Sequence, residues 1–214
     1  MTANVKGRGI RVEVAATYGS PIAINGVSNA NPGVVSETGH GLTAGQVGYF
    51  SGVSGMVQLE DQAIRVAGVT TDTFTLQGLD TTNYSAFVSG NLTMAATWAT
   101  LGEATSYSIP DASSEDLDAT TLLDVIDVVE AGNLAAQPLN VSVLSKETLT
   151  AAMTLIEAAA RAGTKMLVRI TLQQGGVRVY YGTPSAPGED VQAKQLGKGS
   201  LSFKGRGFLL KLAA

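Results

Sequence analysis

His40 is the only imidazole of the chain, and it lies between glycines in the run Glu37-Thr38-Gly39-His40-Gly41-Leu42. A lone histidine can shuttle a proton or ligate a metal. No second histidine, no cysteine and no carboxylate pair at matching spacing accompanies it, so a turn or packing role is the expectation. Serine is plentiful, but none stands in a G-x-S-x-G elbow that would expose it as a nucleophile. Gly7-Arg8-Gly9 lacks the third glycine and the following helix of a dinucleotide loop. Asp111, Glu115, Asp116, Asp118, Asp124, Asp127 and Glu130 offer the hard oxygen ligands that calcium takes, without the loop register that would gather them. Lys194, Lys198, Lys204 and Arg206 could face nucleic acid, yet only Phe203 and Phe208 interleave with them and the net charge is -4. The inventory of nucleophile, base and metal ligand is nearly empty. The sequence therefore points away from an enzyme and toward no bound metal or cofactor.

What remains unexplained is the acidic stretch itself. Between the strand-like runs at Leu101 and Leu144 it carries Leu122, Leu123, Val125, Ile126, Val128 and Val129 among its carboxylates. A compact monomer has little use for so much apolar sequence in a connection, so a partner is expected. Asp116, Asp118, Leu122, Leu123, Asp124, Val125, Ile126, Asp127, Val128 and Glu130 are the candidate contact residues. Charge is segregated as well: residues 94–150 hold one basic group against nine carboxylates, and residues 151–214 hold nine basic groups against three. Such halves attract either within one fold or from copy to copy.

The elements that must position this stretch are mostly strands. The 25 glycines exceed what helices tolerate, and Val and Thr are frequent. Ile10, Val12 and Val14 alternate as a first strand, which breaks at Gly19-Ser20-Pro21. Residues 21–93 read as a separate small β module of short strands and glycine turns, with runs at 47–53, 63–69 and 72–79. It is inserted into an outer fold made of residues 1–20 and 94–214. One helix is expected over Lys146–Ala162, capped by Ser145, with Glu147 in its first turn, Gly163 as its stop, and a stripe of Leu149, Ala152, Met153, Ile156 and Ala160. A hairpin follows, with alternation at 166–172 and 177–181 across Gln174-Gly175-Gly176. No apolar run approaches the roughly 20 residues of a membrane span, and the N-terminal run lacks the apolar core of a signal peptide; a soluble, unsecreted protein is expected.

In order along the chain stand a strand after KGRG, LGEATSYSI, the acidic SSEDLDATTL, PLNVSVL, the helix LTAAMTLIEAAARAG, the hairpin KMLVRITLQQGGVRVYYG and GEDVQAKQLGKGSLSFKG. This order resembles the major tail tube proteins of long-tailed, siphophage-type bacteriophages. The resemblance implies a mainly β fold: a two-sheet β-sandwich or barrel with one flanking α-helix, plus the inserted small β-barrel. It implies a structural virion protein, made in the host cytoplasm and located in the tail. Its partners would be itself, in hexameric rings stacked into a tube, and other tail proteins at the tube ends. DNA would pass through the lumen without specific binding, and no membrane is involved. The excursion at about 116–134 would reach neighbouring subunits and rings. Within the insert, GHGL, SGVSGM and DTFTL over about residues 34–88 are similar to a small β-barrel that recurs in phage tail proteins and is related to a half-domain of ubiquitin-activating enzymes. The competing expectation is a virion surface decoration protein, or a module that binds a glycan or receptor.

Overall fold

The computed structural model describes residues 9–110, 114–120, 125–134, 136–193 and 195–213. The strands are β1 (Arg11–Tyr18), β2 (Ile22–Ile24), β3 (Gly26–Val27), β4 (Val34–Ser36), β5 (Val47–Ser54), β6 (Ala63–Ala67), β7 (Thr73–Leu76), β8 (Ser89–Thr100) and β9 (Ala104–Ser108). They continue with β10 (Ser114–Asp118), β11 (Val129–Leu134), β12 (Leu139–Leu144), β13 (Met166–Thr171), β14 (Val177–Pro184), β15 (Gly188–Asp190), β16 (Lys198–Lys204) and β17 (Leu210–Leu212). The helix α1 (Ala151–Ala162) precedes β13.

The chain is mainly β with one α-helix, but the pairing differs from two stacked sheets. Fifteen strands form one continuous antiparallel sheet: twelve follow the path β3-β4-β7-β6-β5-β8-β1-β13-β14-β16-β12-β9, and β2, β15 and β17 pair beside it with β8, β16 and β14. Curling lets this sheet pack against itself. The first half of β14 pairs with β17, through Val177, Arg178 and Val179, while its end at Thr183 and Pro184 pairs with β16. The sheet therefore peels apart at β14, and β16-β12-β9 fold back over β1 and β13. Val141, Val143, Leu201 and Phe203 meet Val12, Val14, Val168 and Ile170 in the core between them.

Ala152, Met153 and Ile156 of α1 close this core. The helix begins five residues later than Lys146–Ala162. Thr150 is its N-cap, and Ser145 instead bonds Glu189. The cause is Glu103, buried in the turn between β8 and β9. It takes the Lys146 ammonium at 2.9 Å and the Thr150 hydroxyl at 3.3 Å, which holds the intervening segment out of helical conformation. Leu149 consequently falls outside the helix and is exposed. The C-terminal end is as expected: Gly163 stops the helix at φ 64, donating its amide to the last turn.

Residues 24–94 surround a core of their own, with Phe50, Met56, Ile64, Phe74 and Leu92 at its centre. The seam with the rest of the chain is not a linker. β8 pairs with β2 and β5 through its first half and with β1 through its second, so residue 93 falls inside a strand. Val47 and Ala63 pack into a third cluster with Leu167, Val177, Val179, Tyr181 and Leu210. Tyr49 stacks on Tyr181 with ring centroids 4.0 Å apart, and Tyr18 meets Tyr49 edge-on at 5.7 Å. The Tyr18 hydroxyl accepts the Leu167 amide at 2.9 Å, where the bulged β1 leaves that amide without a strand partner. Burial pushes the Tyr18 phenol up to about 12 and raises that of Tyr181 further, so both rings stay neutral.

Candidate assembly surface

Between β9 and β12 the described residues form a hairpin arm. β10 and β11 pair antiparallel with each other, Leu117 opposite Glu130 and Asp118 opposite Val129, and form a sheet separate from the main one. The pairing extends to Ala119, whose amide donates to Val128, and the Thr120 hydroxyl accepts the Val128 amide. Thr120 also donates to the Asp118 carboxylate, holding it below the usual carboxylate range.

Neither face of the arm is suited to a monomer core. Side chains alternate across a strand, so one face carries Asp116, Asp118 and Val129, and the other carries Leu117, Glu130 and Val128. Each mixes exposed apolar groups with carboxylates. Toward the tip, Val125 is 99 % exposed and Ile126 is 80 % exposed. Asp127 follows them, also exposed. A two-stranded ribbon gains little stability by itself in water. This one is rooted instead: the Gln137 amide group donates to Pro110 across its base at 3.0 Å, and the buried Tyr180 hydroxyl donates to the Gln137 carbonyl at 2.9 Å.

The expected contact residues thus divide. Asp116, Asp118, Val125, Ile126, Asp127, Val128 and Glu130 all lie on this arm and are exposed. Leu122, Leu123 and Asp124 lie outside the described residues. Leu117 and Val129 join the exposed apolar set; strict alternation with Asp116 and Asp118 is the sequence signal that marks Leu117.

The two charged halves do not cancel within the described chain. Glu13 takes Arg169 at 2.8 Å, and Asp61 takes Lys165 at 2.6 Å. The arm carboxylates form no ion pair among the described residues, and neither do Lys198, Lys204, Arg206 and Lys211. The nucleic-acid pattern also dissolves, because Phe203 is fully buried in the core. His40 is a turn residue: its Nδ1 accepts the Leu42 amide and its ring packs edge-on against Phe74 at 5.1 Å. Trp98 lies half-buried under the Arg169 guanidinium, 4.2 Å from the ring centroid. Among the described residues no three carboxylates or imidazoles gather as a metal site, and no helix is long and apolar enough to cross a membrane.

The module's core residues span the same stretch as a known fold unit. Residues 30–94 match the family model of the ubiquitin-activating enzyme E1 FCCH domain. The match covers well under half of the chain and coincides with the core built around Phe50 and Phe74. Since the chain has no cysteine, the likeness carries the fold of this FCCH-like module and no thiol chemistry. No curated protein matches the chain.

The main sheet also ends in an unpartnered strand edge. β9 is the last strand of its path, pairing only with β12 among the described residues, and most of its side chains are exposed. An open edge of this kind offers free backbone donors and acceptors to another chain.

Proposed function

We propose that this chain is a structural subunit that polymerises with copies of itself, as the tail tube protein of a phage or phage-like particle. In this reading the curled sheet closes side by side with its neighbours into hexameric rings, rings stack into a tube that passes DNA, and the FCCH-like module faces outward. The subunit would be a discontinuous tube domain, residues 1–20 and 94–214, carrying the module at 21–93. The observation that carries the proposal is the β10–β11 arm. It is a rooted hairpin with apolar groups and carboxylates on both faces and little to bury them against in its own chain. The C-terminal cations that form no ion pair among the described residues and the open β9 edge support the same reading, because each offers a neighbour something to satisfy.

Electron microscopy of the concentrated, purified protein tests this. Rings or stacked tubes with a central channel are expected. A protein that stays monomeric at every concentration, by light scattering and by microscopy, would rule the reading out and favour a decoration or receptor-binding module.

A further inference from the structure

We infer that the groove between Val57 and Phe208 receives the arm tip of a second copy, Val125 and Ile126 entering it and Asp127 meeting Arg206. This rests on the self-assembly reading above and names the surface that the arm uses.

The groove, about 200 Å³, lies where the FCCH-like module meets the chain's C-terminal segment, and Val57, Glu60, Gln62, Arg206, Gly207 and Phe208 line it. Val57 and Phe208 are its apolar walls, set among the polar Gln58, Glu60, Gln62 and Arg206, and both are open: Val57 is 50 % exposed and Phe208 60 % exposed. A large side chain left this open in a monomer is normally a loose one, but Phe208 is fixed. The buried Gln62 side chain bonds its main chain twice, donating to the Phe208 carbonyl at 3.1 Å and accepting the Phe208 amide at 3.0 Å. Gly207 presses so closely on Asp61 that a Cβ there would stand 2.8 Å from its carbonyl oxygen. The chain thus holds an exposed aromatic in one place, next to an arginine. Aromatic residues and arginine are the types enriched at the centres of protein interfaces.

Charge selects the occupant. Arg206 forms no ion pair among the described residues, and Asp61, whose carbonyl lies against Gly207, is already paired with Lys165. Glu60, the acidic residue of the groove, accepts the amides of Gly52 and Val53. The groove thus sets two exposed apolar side chains, Val57 and Phe208, beside Arg206, a cation with no ion-pair partner among the described residues, while the Glu60 carboxylate is turned to the Gly52 and Val53 amides. The arm tip is its complement: two adjacent, nearly fully exposed aliphatic side chains followed by a carboxylate. It also sits in a stretch with no basic residue at all between Arg65 and Lys146.

The absence of native cysteine allows a direct test. Ile126→Cys and Phe208→Cys are made as separate chains, mixed, and assembled under mild oxidation; Val57→Cys replaces Phe208→Cys as a second pairing. A disulfide-linked species of twice the chain mass should form between the two different variants, with little from either variant alone. Independently, Arg206→Glu should abolish the assembly signal in light scattering, and adding Asp127→Arg on the same chain should restore it. If the wild-type chain forms tubes while both cysteine pairings stay unlinked and Arg206→Glu assembles normally, the arm docks elsewhere and this inference alone fails. If the wild-type chain never assembles, both this inference and the self-assembly reading fall.

Discussion

The Tyr180 hydroxyl donates to the Gln137 carbonyl at 2.9 Å and accepts the Gly205 amide at 2.7 Å. One buried side chain thus ties the root of the acidic arm to the root of the segment that carries Arg206 and Phe208. Burial raises its phenol above the ordinary value, so the donor persists through neutral and mildly alkaline pH. Tyr180→Phe keeps the ring in the core and strands both main-chain partners. It should cost about 1–3 kcal/mol in urea unfolding and speed hydrogen exchange at Gly205. An unchanged midpoint and unchanged exchange would show that water replaces the hydroxyl without loss.

Glu103 makes stability depend on pH. Burial alone would raise its carboxyl, but the bond from Lys146 and the Thr150 hydroxyl hold it below the usual carboxylate range. A folded-state value below the unfolded one contributes stability that is full above the ordinary carboxylate value and lost as pH falls through the folded value. The melting temperature of the wild-type chain should therefore drop on acidification below about pH 4.5, and Glu103→Gln should flatten part of that drop. Parallel curves for the two proteins would show that the Glu103 pair contributes nothing to acid sensitivity.

Several features were legible in the residues and several were not, for physical reasons. The β13–β14 hairpin follows from alternation on either side of Gly175, whose φ of 87 only glycine adopts at low cost. The FCCH-like core followed from dense glycine turns between short apolar runs. The start of α1 is not legible locally: the helical pattern from Lys146 is sound, and the contact that overrides it, Glu103, lies 43 residues away. The seam is hidden for the same reason: Tyr49 and Tyr181 read separately as strand residues, and nothing local pairs them. Apolar residues in the acidic stretch point to a partner but not to a hairpin, and the groove depends on Gln62 reaching Phe208, a residue distant in the chain.

The seam predicts the outcome of removing the module. Independent folding would let a Gly/Ser linker replace residues 21–93 with no effect on the remainder. Here Val47, Tyr49 and Ala63 cover Val179 and Tyr181, and β5 pairs with the first half of β8. Uncovering two such side chains costs roughly 1.5–3 kcal/mol each, and each kcal/mol shifts Tm by about 2–4 °C at this size. The shortened chain should melt lower by about 10 °C and bind a hydrophobic dye. A shortened chain that keeps its Tm and binds no dye would show the seam to be dispensable.

Changes on the arm should separate assembly from folding. Val125 and Ile126 are so exposed in the single chain that changing both to Asp should alter its stability by only about 0.5 kcal/mol or less. In an assembly that buries them, the same changes remove about 1.5–3 kcal/mol per side chain and strand two charges, so polymer should be lost. Lysine at Asp116 and Asp118 acts through the field instead. Its effect on the assembly rate should be large at 0.01 M salt, where the Debye length is about 30 Å, and small at 1 M, where it is about 3 Å. Circular dichroism follows the fold and light scattering the polymer, so the two can be read on the same sample. Aspartates at 125 and 126 that unfold the single chain, with lysines that leave assembly untouched at every salt concentration, would place the arm in the monomer core and remove it from the interface.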